Sequence, residues 1–226
     1  MLDNPIWYSL TTRQSGLALG GELARRYPAD VAPFLGLREE SPESLAAMSA
    51  LAVEGESLYL AGVAPRAFPG WTVEGSAAVV QMVHEGRAVD GVDAGDVSDL
   101  GPEDAPAMLA LMAEVYPGYF RPRTRELGRY LGIRREGRLV AMAGERMCLT
   151  GYREISAVAT LPGYRGRGYA GRLVALLVRS ILDEGLTPFL HVDADNAAAR
   201  AAYEKAGFAT RREVTVLRLR RIGDAT

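Results

Sequence analysis

The sequence predicts an α/β or α+β domain built on a mixed sheet, and three observations carry that prediction. Apolar residues make up 48% of the 226 and charged ones 24%, ordinary values for a globular chain long enough to bury a real core. Runs with the two-residue period of strands alternate with runs of helical period, most clearly after residue 96. The stretch SAVATLPGYRGRGYAGRL, residues 156–173, passes from small and β-branched residues through alternating arginines and glycines into an apolar helical pattern.

The first half gives the weaker pattern. SPESLAAMSALA (41–52) reads as a helix, because Ser41 suits the N-cap, Pro42 suits the first position, and Leu45, Met48 and Ala52 share a face. ESLYLAGV (56–63) and SAAVVQMVH (76–84) read as strands, and VAPFLGL (31–37) is a further strand candidate. No metal cluster, nucleophile motif or phosphate loop precedes residue 90. HEGRAVDGVDAGDVSDL (84–100) is rich in Gly and Asp and thin in large apolar side chains. It is read as the boundary between an N-terminal α/β domain, residues 1–92, and a second domain, residues 93–226.

The second half is clearer. VSDL (97–100) is a short strand. GPEDAPAMLALMAEV (101–115) is a helix, with Pro and acids in its first turn and Met108, Leu111, Met112 and Val115 on one face. VYPGYFRPRTRELGRY (115–130) is an aromatic and basic connector ending in a short helix. LGIRREGRLVAMAGERMCLT (131–150) is a hairpin turning at Glu136-Gly137. REISAVATL (153–161) is a strand. Residues 168–184 form a helix with Ala170, Leu173, Val174, Leu177, Val178 and Ile181 at the spacing of one buried face. TPFLHVD (187–193) is a strand, NAAARAAYEKA (196–206) a helix and REVTVLRLR (212–220) a final strand.

Composition also excludes. A net charge of -2 lacks the basic excess of a general polyanion binder, so any anion site is local. The one cysteine, Cys148, allows no intrachain disulfide, and a reducing compartment is the default. MLDNPIWYSL does not read as a signal peptide, and no apolar run approaches the ~18–20 residues that span a bilayer. His84 and His191 stand alone and suggest no metal. Cys148, between Met147 and Leu149, reads as core.

At Gly166, Gly168 and Gly171 the missing Cβ lets the backbone turn tightly and come close to a ligand. Unpaired amides at a helix start, with the helix dipole, form an anion site suited to phosphate. Arg165 and Arg167 add charge. No Gly-Lys-Ser/Thr follows, so this is not a Walker loop. Gly166-Arg167-Gly168 followed by Gly171 has dinucleotide-fingerprint spacing, but the acidic strand end that fingerprint needs is missing: Asp183 and Glu184 fall in or at the end of a helix. An arginine–glycine RNA tail would be repetitive and disordered, whereas this stretch opens an amphipathic helix.

Two motifs then carry a resemblance. Arg165-x-x-Gly168-x-Ala170 matches the Q/R-x-x-G-x-G/A motif of the GNAT superfamily of acyl-CoA N-acyltransferases. Asn196-x-x-Ala199-x-x-x-Tyr203-x-x-x-Gly207-Phe208 is similar to its second signature. The resemblance covers roughly residues 96–220, and the first half has no comparable motif, though its mixed pattern is also compatible with a degenerate half of the same fold.

The resemblance implies a mostly antiparallel sheet splayed at its central parallel strands. It implies acetyl-CoA as co-substrate, with the pantetheine arm on Val158, Ala159 and Thr160 and the diphosphate on the amides from Gly166 through Arg167, Gly168, Tyr169 and Ala170 to Gly171. Asn196 matches a pantetheine-binding position and also suits a helix N-cap. Tyr203 matches the tyrosine that protonates the departing thiolate, and it also falls on the apolar stripe of its helix. A lysine-like amine, of pKa ~10.4, must lose a proton before it attacks. Glu154 resembles the glutamate base of the histone-acetylating branch; the plainer reading is a solvated strand-end carboxylate, and Glu145 is the reserve. Tyr116, Tyr119, Phe120 and Arg121 fall on the acceptor side. The implied activity is N-acetyl transfer to a small-molecule or peptide amine, in the cytoplasm, with no metal, nucleic acid or membrane. A non-catalytic acyl-CoA sensor is the alternative.

Overall fold

Along the chain run helix α1 (Pro5–Thr11), strands β1 (Leu19–Gly20), β2 (Ala24–Arg26) and β3 (Leu35–Leu37), helix α2 (Pro42–Ala50), and strands β4 (Ser57–Ala61), β5 (Trp71–His84) and β6 (Val97–Asp99). Helix α3 (Ala105–Val115), strands β7 (Tyr130–Arg135), β8 (Arg138–Leu149) and β9 (Tyr152–Thr160), helix α4 (Tyr169–Asp183), strand β10 (Thr187–Asp193), helix α5 (Ala197–Lys205) and strand β11 (Phe208–Arg221) follow. This computed structural model describes residues 1–87, 89 and 91–223; Ala88 and Asp90 of the expected boundary segment lie outside them.

The main sheet has eight strands in the order β4-β11-β5-β10-β9-β8-β7-β6, and β1-β2-β3 form a small second sheet. In the main sheet β9 and β10 are parallel and the other neighbours antiparallel. The parallel pair follows from its connection. Strand, helix and strand in sequence return the chain in its original direction, which a tight hairpin cannot do. By contrast, β7 and β8 meet through Glu136 (φ 51°) and Gly137 (φ 79°), a two-residue turn with both centres left-handed, the kind that matches strand twist.

Local signals account for the helices. Ser41 caps α2 by accepting the Ser44 N–H at 3.1 Å. In α4 the expected stripe is buried at Leu173, Val174, Leu177, Val178 and Ile181, with Leu176 added. Side chains alternate along β7: Arg134 reaches Asp104, just before α3, while Arg135 reaches Tyr169 at the start of α4. The two helices therefore cover opposite faces of the sheet.

Strands from both parts of the chain share this sheet. β5, which precedes the expected cut at residue 92, lies between β10 and β11. Leu2, Ile6 and Leu10 of the N-terminal segment pack with Tyr27 and Phe34 against Met147, Leu149 and Phe189. The connector is tied to the same region, with Arg123 N–H donating to the Asp30 carbonyl at 2.8 Å and Thr124 Oγ1 to the Val31 carbonyl at 2.6 Å. Among the described residues no helix is long and apolar enough to cross a membrane.

Candidate active site

β9 and β10 begin as a pair and then part. Their ladder runs Thr187↔Tyr152, Pro188↔Arg153, Phe189↔Glu154 and stops. β9 stays on β8 as far as Thr160, and β10 stays on β5 as far as Asp193. Two backbone edges are left facing a fork. The local cause lies in β9: Ala157 has φ 51°, and the register slips between Ser156 and Ala159, a bulge that bends the strand away from its neighbour. Val158, Ala159 and Thr160 form one arm of the fork. The Thr160 hydroxyl oxygen is buried with no hydrogen-bond partner.

The chain then enters the arginine–glycine loop. Gly166 and Gly168 both have φ 76°, a left-handed conformation that strains other side chains. Gly168 is the N-cap of α4 and brings no capping side chain. The first intrahelical bond runs from the Arg172 N–H to the Gly168 carbonyl at 3.1 Å, so the amides of Tyr169, Ala170 and Gly171 open the helix without helical partners. A Cβ at Gly166, Gly168 or Gly171 would meet nothing within 4 Å, which leaves the outer side of the loop open. These amides and the positive end of the α4 dipole suit a diphosphate. Arg165 is exposed, its Nε donating to the Thr160 carbonyl at 3.3 Å; Arg167, also exposed, lies over the Tyr164 ring at 5.2 Å. The Tyr169 side chain turns elsewhere. Its hydroxyl accepts from Arg135 Nε at 3.0 Å, and Arg135 and Arg172 both ion-pair with Asp96.

Asn196 does cap α5, its Oδ1 accepting the Ala199 N–H at 3.0 Å. That leaves its Nδ2 for another acceptor. Tyr203 packs edge-on against Phe208 at 6.0 Å. Burial pushes its phenol up to about 12, with Tyr116 adding to the effect, so the proton stays on at neutral pH. On the connector, Tyr119 stacks on Tyr59 at 5.3 Å and Phe120 meets Tyr130 at 5.8 Å. Arg121 N–H donates to Thr124 Oγ1 at 2.7 Å.

Glu154 is not the solvated strand-end carboxylate of the plainer reading. It is fully buried. One carboxylate oxygen accepts from Arg146 Nη2 at 2.5 Å and faces His191 Nδ1 at 2.7 Å. The other accepts from Arg146 Nε at 2.8 Å and the Met147 N–H at 3.4 Å. Burial alone would raise its pKa, but the charge and hydrogen bonds of Arg146, with His191, outweigh burial and hold the carboxyl at about 2. Glu145 lies one position along from Arg146 and points elsewhere, its Oε2 accepting the Arg129 N–H at 3.0 Å and facing Arg153 at 3.4 Å. Burial raises its pKa.

Sequence reasoning missed Arg146, His191 and Gln81. Gln81 Nε2 lies 3.1 Å from His191 Nε2 and donates to the Leu2 backbone carbonyl at 2.9 Å, and Gln81 Oε1 accepts from Arg211 Nη1 at 2.8 Å. A glutamine inside the apolar run AAVVQMV, on a strand with a period of two, was the available signal: a buried polar side chain needs a buried partner. His84 and His191 belong to no group of three or more metal-ligating side chains among the described residues. Cys148 is buried and free.

A family model described as FR47-like protein matches residues 130–217, from β7 into β11. A solved structure of a candidate acetyltransferase from the GNAT family of Novosphingobium aromaticivorans is 36% identical, covers 100% of this chain and 99% of its own, and has a TM-score of 0.89. A GCN5-related N-acetyltransferase from Kribbella flavida shares the fold at 19% identity, covering 96% of this chain and 92% of its own, with a TM-score of 0.58. The mycothiol acetyltransferase of Streptomyces avermitilis is 36% identical over 78 residues, which is 34% of this chain and 25% of that protein. The match thus spans about a quarter of that relative's length.

Proposed function

The chain belongs to the GNAT family of acetyltransferases, and on that premise we propose that it moves an acetyl group from acetyl-CoA to a primary amine by direct attack in a ternary complex. The observation that carries this reading is the fork, which opens after Phe189↔Glu154 and has a glycine cradle at its outer end.

In this reading the pantetheine arm lies along the free backbone of Val158, Ala159 and Thr160, as an added strand would. The diphosphate sits on the amides from Gly166 to Gly171, and Arg165 and Arg167 are exposed enough to turn onto it. Asn196 offers Nδ2 to the pantetheine. The amine nitrogen attacks the thioester carbonyl carbon, and a backbone N–H of β9 stabilises the oxyanion. The carbon–sulfur bond then breaks, Tyr203, protonated at neutral pH, gives its proton to the thiolate, and the second proton shed by the acylated nitrogen passes through water to restore the phenol. The amine itself must first lose a proton. With Glu154 engaged on both oxygens, we assign that step to water in the fork. The acceptor, a small-molecule or peptide amine, enters beside Tyr116, Tyr119, Phe120 and Arg121. The reading takes the cytoplasm as the compartment, supported by a lone, free Cys148.

The test pairs calorimetry with CoA and acetyl-CoA with a thiol-release assay over a set of amines. One saturable site per chain and thiol release that needs an amine support the reading. Binding without amine-dependent release returns the sensing alternative, and absence of both removes the reading.

A further inference from the structure

Five neighbouring strands each place one polar side chain in a single row across the sheet. Arg211 Nη1 on β11 donates to Gln81 Oε1 on β5 at 2.8 Å. Gln81 Nε2 faces His191 Nε2 on β10 at 3.1 Å, His191 Nδ1 faces Glu154 on β9 at 2.7 Å, and Glu154 holds Arg146 on β8. Both ends of the row depend on irregular pairing. The register slips between Thr210 and Arg212, leaving Arg211 as the extra residue, and slips again between Glu145 and Cys148, where Arg146 and Met147 stand opposite Glu154. Each bulge re-aims an arginine into the row.

The row also fixes the histidine tautomer. Gln81 Nε2 is a donor, because its carbonyl oxygen already accepts from Arg211 and its amide serves the Leu2 carbonyl. His191 Nε2 therefore accepts, and Nδ1 carries the hydrogen that Glu154 receives.

The position of this bond matters most. Phe189↔Glu154 is the last backbone pair of β9 and β10. His191 lies two residues further along β10, inside the fork, and its side chain reaches back across to Glu154. Glu154 is fully buried, and the His191 side chain is 8% exposed. We propose that the His191–Glu154 hydrogen bond is a rung across the fork that stops an acyl chain running toward the apex, and so restricts the co-substrate to short acyl groups such as acetyl. The proposal rests on the acetyl-transfer reading above. An acyl chain placed beyond Ser156 meets this dry, charge-assisted bond within about one strand repeat, ~7 Å. A longer chain must displace the imidazole, and the buried carboxylate then loses a charge-assisted donor.

The test is calorimetric binding of CoA, acetyl-CoA and hexanoyl-CoA, which needs no acceptor. Wild type is expected to bind acetyl-CoA at least tenfold more tightly than hexanoyl-CoA. His191→Ala should bring that ratio to within about threefold of one while leaving affinity for CoA itself unchanged. His191→Asn, whose Nδ2 falls near the position of the imidazole Nδ1, should keep the wild-type ratio. A purely structural histidine would lower the melting temperature in His191→Ala without moving the ratio. If His191→Ala does not fold, Gln81→Leu, which removes the donor orienting the imidazole, must shift the ratio in the same direction. Equal binding of the two acyl-CoAs by wild type, or an unchanged ratio in a folded variant, overturns the rung alone. Absence of any CoA binding by wild type overturns the acetyl-transfer reading and the rung with it.

Discussion

Glu154 shows how far a residue's environment can override its type. In water a glutamate titrates near 4.5; here it sits at about 2 despite full burial, because Arg146 grips it at both oxygens and His191 adds a third contact. The folded pKa lies below the unfolded one, so the carboxylate's contribution is fully present above about pH 4.5 and is lost as pH falls through about 2. Glu154→Gln should therefore lose about 3–5 kcal/mol at pH 7, since it strands the Arg146 charge. The gap to wild type should narrow between pH 4.5 and 2. Denaturant melts at pH 7, 5 and 3 measure it. A base standing free at the acceptor side predicts the opposite pattern, with nearly unchanged stability and a 10²–10⁴-fold loss of rate that shrinks as pH rises.

At the scale of elements, the arginine–glycine loop and α4 act as one unit. Gly168 at φ 76° caps the helix with backbone alone, so substitution there mixes two effects, strain and charge. An L-residue in this region costs ~1–2 kcal/mol, though Asn and Asp bear it best. Gly168→Asp and Gly168→Asn share shape and strain and differ in charge. CoA affinity should fall at least tenfold more in the aspartate variant, about 1.4 kcal/mol, by titration. Equal losses would mean that no diphosphate lies against the loop. The loop and α4 were legible in the sequence because their determinants are local: glycines at a strand-to-helix joint and a regular apolar stripe. The β7–β8 hairpin was legible for the same reason, at Glu136-Gly137. α1 was not. PIWYSLT buries five of its seven residues, which leaves no polar face to mark a helical period, and Asn4 before it makes no cap bond and donates instead to the Leu37 carbonyl at 2.6 Å. The Arg146–Glu154–His191 row was hidden too. A bulge in β8 and the order of strands bring it together, and neither has a short-range signature.

On the scale of the whole molecule, the N-terminal part contributes to the sheet that holds the fork. β5 pairs with β10, one arm of the fork, from Val79 to Val83, and Gln81 continues the polar row toward β11. Phe189, the last β10 residue paired with β9, is fully buried in the cluster that contains Leu2, Ile6 and Tyr27. A fragment of residues 93–226 would leave the edges of β10 and β11 without β5 and expose that cluster. It should fail to give dispersed amide resonances or a cooperative melt, whereas residues 1–226 give both. A fragment that folds and binds CoA would show that the fork stands without β5.

The fork between β9 and β10, with the amides at the head of α4, is the place we propose for acetyl-CoA. A crystal structure of the protein grown with acetyl-CoA tests this most directly. The predicted result is pantetheine between the two strands, bonded to the backbone of residues 158–160, and diphosphate oxygens within hydrogen-bonding distance of the amides of residues 166–171. Acetyl-CoA bound elsewhere on the molecule, with the fork filled only by solvent, would contradict it.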